Sequence, residues 1–435
     1  MVSRIRSWCA LLSWTAGFSG GLVVMALTQA IAGEFKLSPA APSMDRWVYA
    51  YGDFLGDRQS APTFASFDPR FDSRDGQFLT GWDTAALVAT NAGPANYLIR
   101  RARLTVTIAA DNAFYYDPTF DSFHTYDTNL AGYTPDLDTG RPAELYGAAF
   151  RNGFTDSSFA ESSPFGPLNP INSGNISIGT RNAFAAMFGP DGQLLDVANN
   201  VGQHNSQWTN APFEVRPWAI GLTTNTPPGE LVPVDAAFTF QLDLTDPLIV
   251  GYLQRALDSG RLRLFITSLS PSAQAGGGGT GAYPSWATRE NVLSAPPHLE
   301  LDGTLVGPDD TDSDGLPDDW ERYYFNNLTP GAADDSDQDG QSNGDELAAG
   351  TDPTLSSSVL RIHDAQYDAD GNVTLRFGIA PSRAYRIERS IDLKEWHPAQ
   401  GILSYPAVGE GEFVEQRINV PPSTPPQAFY RVQAE

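Results

Sequence analysis

Between Asp309 and Asp352 the chain carries 14 acidic residues and one basic residue, Arg322, in 44 positions. The acids are periodic. Asp310, Asp312, Asp314, Gly315, Asp318 and Glu321 fit D-x-D-x-[DN]-G-x5-E, and Asp335, Asp337, Asp339, Gly340, Asn343 and Glu346 fit it again 25 residues later. A stretch so charged cannot collapse into an apolar core, so it either stays solvated or folds around cations. The spacing favours the cation. Acids at positions 1, 3 and 5 turn tightly around one point, and glycine at position 6 permits the bend. Position 7 supplies a backbone carbonyl, from Leu316 and Gln341. Position 9 is Asp318 or Asn343, and position 12 is Glu321 or Glu346, able to ligate through both oxygens. The expected cofactor is calcium, one ion per loop. A merely solvated acidic linker would show neither the period nor glycine at a fixed offset.

The flanks differ from an ordinary EF-hand pair. Gly303–Pro308 reads as a linker, so no helix enters the first loop. Pro317 and Ser342 occupy position 8, where paired EF-hands place an apolar strand residue. A short helix is predicted to leave each loop, Asp319–Phe325 and Asp345–Ala349, the second stopped by Gly350. The block, DTDSDGLPDDWE and then DSDQDGQSNGDE followed by AGTDPT, resembles the thrombospondin type 3 repeat and related bacterial calcium linkers. The resemblance implies calcium held by the residues named above, with Asp352 as an added ligand, in a connector stiffened between domains.

The chain of 435 residues has room for two or three domains. Its 40 glycines, 33 prolines and 18% charged residues suit short strands and many turns. A net charge of −25 argues against nucleic acid and anionic membrane as partners, because like charges repel. Residues 1–32 read as a signal peptide: Arg4 and Arg6 precede an apolar run from Trp8 to Leu27, and Ala30-Ile31-Ala32 forms the cleavage signal. Cleavage would remove two arginines and no acid, taking the charge from −25 to −27. No second apolar span follows, so no transmembrane segment is expected in the mature chain, which reads as secreted or cell-surface. The sole cysteine, Cys9, lies in that leader. Disulfides and thiolate metal sites are thereby excluded from the mature chain.

The expected fold class is mainly β. A large antiparallel β-sandwich with one helix spans 33–307, the calcium-binding connector 308–355, and a small immunoglobulin-like β-sandwich 356–435. In the first, strand patterns occur at Arg46–Asp53, Tyr97–Ile108, Ala143–Phe150, Asn175–Ile178, Phe213–Leu222, Ala237–Leu244, Leu262–Leu269 and His298–Leu301. Asp246 is a good N-cap, Pro247 suits the first helical position and Gly260 the stop. Ala102-Arg103-Leu104-Thr105-Val106 and the segment from Trp286 to Leu301 resemble strands of the DNRLRE-type β-sandwich domains of secreted bacterial proteins, which implies a carbohydrate-binding relative. Asp111–Tyr133 interleaves Phe114, Tyr115, Tyr116, Phe120, Phe123, Tyr126 and Tyr133 with four aspartates. Rings beside carboxylates suit a sugar, and Tyr115, Tyr116 and Tyr126 are the candidates for stacking. The alternative is that the rings pin a long loop to the sandwich.

In the last 80 residues, strands are expected at Val359–Tyr367, Val373–Ile379, Ala384–Arg389, Phe413–Val420 and Ala428–Val432. Ser390-Ile391-Asp392-Leu393-Lys394-Glu395-Trp396 and Ala428-Phe429-Tyr430-Arg431-Val432 resemble a small fibronectin-like module of secreted bacterial proteins, which places Trp396 in its core. No catalytic motif is present: there is no H-E-x-x-H and no G-x-S-x-G, and Gly276–Gly279 reads as a flexible turn. The expectation is a non-enzymatic modular protein serving binding or adhesion, with polysaccharide or cell-surface components as partners. A structural spacer or matrix protein and a polysaccharide-acting enzyme are the alternatives.

Overall fold

The computed structural model describes residues 32–38, 41–49, 57–65, 73–126, 128, 132–166, 181–189, 193–199, 213–272, 282–369, 372–380, 382–399, 413–418 and 428–434. Residues 1–31 of the leader expected over 1–32, the strand expected at Asn175–Ile178 and the Gly276–Gly279 turn lie outside them.

The fold is mainly β. Among the described residues, thirteen strands come from the first part of the chain: β1 Gly33–Leu37, β2 Met44–Val48, β3 Ser60–Pro62, β4 Gln77–Asp83, β5 Tyr97–Thr107, β6 Ala143–Phe150, β7 Ala183–Phe188, β8 Leu194–Asp196, β9 Ala219–Ile220, β10 Ala237–Gln241, β11 Arg261–Ser268, β12 Ser285–Ala287 and β13 His298–Leu305. One antiparallel sheet runs β1-β13-β5-β10, and a larger one runs β2-β4-β11-β6-β7-β8 with β9 beside β6. The two pack face to face. Leu104, Val106, Phe238, Phe240, Leu299 and Leu301 from the first sheet share one core with Phe78, Trp82, Leu145, Leu262, Leu264 and Ile266 from the second. In register, Leu104 of β5 stands between Leu299 of β13 and Phe240 of β10. Its inward face is therefore set by the Ala102, Leu104, Val106 alternation.

The larger sheet is covered on its outer side too. Met44, Leu79, Tyr146, Ala148 and Phe265 form a second core with Phe159, Val197 and Val215 from the excursions between strands. Burial on both faces removes the polar half of the alternation, which is why β4 (QFLTGWD) carries no period-2 signal. Inside this layer Arg74 donates to both oxygens of Glu144, at 2.5 and 2.9 Å. Helix α1, Pro247–Ser259, closes the sandwich with Ile249, Leu253, Ala256 and Leu257. Asp246 accepts from the Leu248 and Ile249 N–H groups, and Gly260 adopts φ +77°, as its sequence predicts.

Two expectations change. Within the segment Phe213–Leu222 only Ala219–Ile220 forms a strand, beside β6; Leu222 makes a single bridge to Thr239, and Phe213 and Val215 pack in the outer layer instead. Strand β13 runs on to Leu305, because β1 pairs with it from Gly33↔Leu305 to Leu37↔Leu301. The register shifts between Asp302 and Gly303. A side chain at Gly303 would strike the Leu98 carbonyl, so the bulge admits only glycine.

Two short helices follow, α2 Asp318–Phe325 and α3 Asn343–Ala349. The chain then forms two three-stranded sheets. One orders β14 (Ile362–Tyr367), β15 (Val373–Gly378) and β18 (Phe413–Ile418); the other orders β17 (His397–Pro398), β16 (Tyr385–Ser390) and β19 (Phe429–Ala434). Val373, Leu375, Phe377, Tyr385, Ile387, Ala399 and Ile418 make their shared core. Trp396 is not in it. The ring lies half-buried at the surface, with the Arg431 guanidinium 4.4 Å from its centre. The turn Ser390–Glu395, closed by Asp392 accepting the Lys394 and Glu395 N–H groups, holds it outside the sheets. Among the described residues no helix is long and apolar enough to cross a membrane.

Candidate metal centre

The two acidic loops have the same backbone construction. Ser313 and Gln338, at position 4, have φ +62° and +65°; Gly315 and Gly340, at position 6, have φ +99° and +97°. Position 1 accepts from the backbone of positions 5 and 6. Asp310 takes the Asp314 and Gly315 N–H groups at 3.2 and 3.1 Å, and Asp335 takes those of Asp339 and Gly340 at 3.2 and 3.0 Å. Position 5 takes the N–H of position 7: Leu316 to Asp314 at 2.9 Å, Gln341 to Asp339 at 2.8 Å. Each loop is closed by the N–H of position 9 on the carbonyl just before position 1. Asp318 donates to Asp309 at 2.8 Å, and Asn343 to Asp334 at 2.7 Å.

These bends bring the carboxylates together. Asp310, Asp312 and Asp314 each offer an oxygen within 4.8 Å of the others, as do Asp312, Asp318 and Glu321, and as do Asp335, Asp337 and Asp339. The exiting helix delivers position 12. Glu321 in α2 and Glu346 in α3 are both fully buried. Both Glu321 oxygens, Glu346 Oε2, Asp337 Oδ2 and Asp339 Oδ2 are buried with no hydrogen-bond partner among the described residues. Burial, then the charges of Asp314 and Asp312, push the Glu321 carboxyl up to about 7. Burial, then Asp337 and Asp339, push Glu346 up to about 7. A hard divalent cation would supply the charge these oxygens lack.

Position 9 also braces its loop. Asp318 Oδ1 takes the Thr311 N–H at 2.7 Å, and Oδ2 takes the Thr311 hydroxyl at 2.6 Å and Arg322 at 2.9 Å. Asn343 Oδ1 likewise takes the Ser336 N–H at 3.3 Å, while its amide donates to the Gly331 carbonyl at 2.9 Å. Both side chains staple position 2 of their loop. Asp352 caps a turn, accepting the Thr354 N–H and hydroxyl at 2.9 and 2.6 Å. Its charge bears on Asp337 and Glu346.

The block is tied at both ends. Gly307 donates its N–H to Asp319 at 3.1 Å, and the Arg100 guanidinium lies 4.8 Å from the Tyr323 ring centre. On the other side the Tyr385 hydroxyl donates to the Ala349 carbonyl at 2.9 Å, and Gln341 Nε2 to the Leu360 carbonyl at 2.8 Å. A cleft of about 660 Å³ lies where the three parts meet, lined by Ile99, Trp320, Tyr324 and Arg383 among others.

The candidate sugar rings do not share a face. Tyr116 and Tyr126 are buried, and only Tyr115 is exposed. Tyr116 packs edge-on against Phe238, 5.6 Å between centres, and its hydroxyl accepts the Thr223 N–H at 3.2 Å. Tyr126 joins Phe123, Ala65 and Leu269 in a small core. Tyr116 and Tyr126 pin the excursion to the sandwich, and of the three candidates Tyr115 alone keeps an exposed ring. Two further carboxylate groups appear that no sequence spacing announces. Asp117, Asp121 and Asp138 gather near Arg141, which donates to Asp121 at 2.7 Å; Asp45, Glu161 and Glu290 gather around Arg289. No family model, no curated protein and no solved structure matches the chain.

Proposed function

We propose that the acidic block binds two calcium ions, one per loop, and serves as the calcium-stiffened joint of an exported modular protein. The observation that carries this reading is the repeated, fully buried glutamate at position 12, its carboxylate facing other carboxylates. Burying such a charge without a partner is strongly unfavourable, and one cation per loop removes the cost. Ligands at positions 1, 3, 5 and 12 with the carbonyls of Leu316 and Gln341 make an all-oxygen set suited to calcium. Because the loops connect to the large sandwich at Gly307 and to the small one at Leu360, ordering them fixes the joint. The protein then acts as a scaffold or adhesive spacer, with its partner on a flanking sandwich. Calcium titration of the full chain, followed by circular dichroism and by protease cleavage within 309–358, tests the reading. Protection that grows to saturation supports it; no change at millimolar calcium refutes it.

A further inference from the structure

Far from the acidic block, three carboxylates from remote parts of the chain meet at one edge of the larger sheet. Asp45 lies on β2, Glu161 in the excursion after β6, and Glu290 after β12. Each offers an oxygen within 4.8 Å of the other two. Asp45 is fully buried. Its Oδ2 takes the Arg289 N–H at 2.7 Å, while its Oδ1 is buried with no hydrogen-bond partner among the described residues. Glu290 repeats the arrangement. Oε1 takes Arg289 Nε at 2.6 Å, and Oε2 is buried with no partner among the described residues. Glu161 is held in place from both sides, by the Asp45 N–H at 2.9 Å and by Arg289 at 2.7 Å.

The charge does not balance. Three carboxylates face the Arg289 guanidinium, and a second cation, Arg46, acts by its charge on Glu161 alone while its NH1 donates to the carbonyls of Glu161 and Ser163. Arg289 fixes the orientation of all three acids and leaves two oxygens without a donor. We propose that Asp45, Glu161 and Glu290 form a third site for a hard divalent cation of the calcium class, linking β2 to the segments that carry Glu161 and Glu290. The donor set is all carboxylate oxygen, which favours calcium over soft transition metals, with water completing the shell. Burial, with the charge of Glu290, pushes the Asp45 carboxyl up to about 8. An ion here would join segments more than 100 residues apart in a chain whose only cysteine is Cys9.

The test counts calcium bound to the full chain by equilibrium dialysis at millimolar calcium, in wild type, Glu290→Gln and Asp45→Asn. Each variant is expected to hold one ion fewer than wild type. Glu290 is half-exposed and a glutamine keeps an oxygen for Arg289, so Glu290→Gln decides the matter if Asp45→Asn does not fold. An unchanged count in Glu290→Gln overturns the proposal. The result is separable from the acidic block: a chain with Glu321→Gln and Glu346→Gln should still hold the ion that Glu290→Gln removes, and holding none overturns the third site.

Discussion

Glu321 and Asp312 bring carboxylate oxygens within 4.8 Å of each other, and neither Glu321 oxygen has a hydrogen-bond donor among the described residues. Two opposite effects follow from replacing that glutamate. Without metal, Glu321→Gln removes a buried unpaired charge and adds donors for its acidic neighbours, so stability in EDTA should rise by about 1–3 kcal/mol. With calcium, the variant should lose at least about tenfold in affinity at the first loop, since a bidentate ligand is gone. Thermal melts with and without calcium check both signs, and a variant less stable than wild type in EDTA contradicts the argument.

Asp318 and Asn343 test whether position 9 is a ligand or a staple. If its task is to hold Thr311 or Ser336, Asp318→Asn should keep calcium affinity within about threefold, because asparagine already does the task in the second loop. Asp318→Ala should cost about 1–3 kcal/mol of loop stability by leaving the Thr311 N–H unpaired. Calorimetric titration of both variants distinguishes the roles; equal, large losses of affinity would identify a ligand.

The aromatic excursion makes a stability prediction. Tyr116→Ala should destabilise by about 3–5 kcal/mol, as expected for a large buried ring. Tyr116→Phe should cost about 1–3 kcal/mol because the Thr223 N–H loses its acceptor. Tyr115→Ala, at an exposed ring, should change stability by less than about 0.5 kcal/mol. Denaturant unfolding of the three variants orders them.

Asp121 gives a pH dependence. Burial pushes its carboxyl up to about 7 despite the Arg141 ion pair at 2.7 Å. A folded value above the unfolded one means the native state holds the extra proton between about pH 4 and 7. Stability is therefore full below that window and is lost as pH rises through 7. The loss is bounded by about 4 kcal/mol, three units at 1.36 kcal/mol each. Melting midpoints in EDTA should fall across this window in wild type and fall less in Asp121→Asn; parallel profiles would dismiss the assignment.

Much of the fold was legible because local rules and tertiary demands agree. Asp246, Pro247 and Gly260 delimit α1 as written, and the alternation of Leu104 and Val106 places β5 in the core. Legibility failed where both faces of a strand are buried. Strand β4 has no alternation to read, since Phe78 faces one core and Leu79 the other. It failed again at Trp396, for which the resemblance to a fibronectin-like module implied a core position. The sheets of the small sandwich are filled instead by Phe377, Tyr385 and Ile387.

At the candidate site the sequence by itself determined the loops, because their bends are short-range: the hydrogen bonds that Asp310, Asp314 and Asp318 make within the first loop, and Asp335 and Asp339 within the second, join residues at most nine apart. It determined the types of the candidate ligands and their order for the same reason. Only the tertiary structure decided that Glu321 and Glu346 are stripped of water, and that position 9 turns inward. Only the tertiary structure brought Asp45, Glu161 and Glu290 within reach of one another. Burial and convergence depend on strand pairing and layer packing between segments far apart in sequence, and no local spacing encodes them.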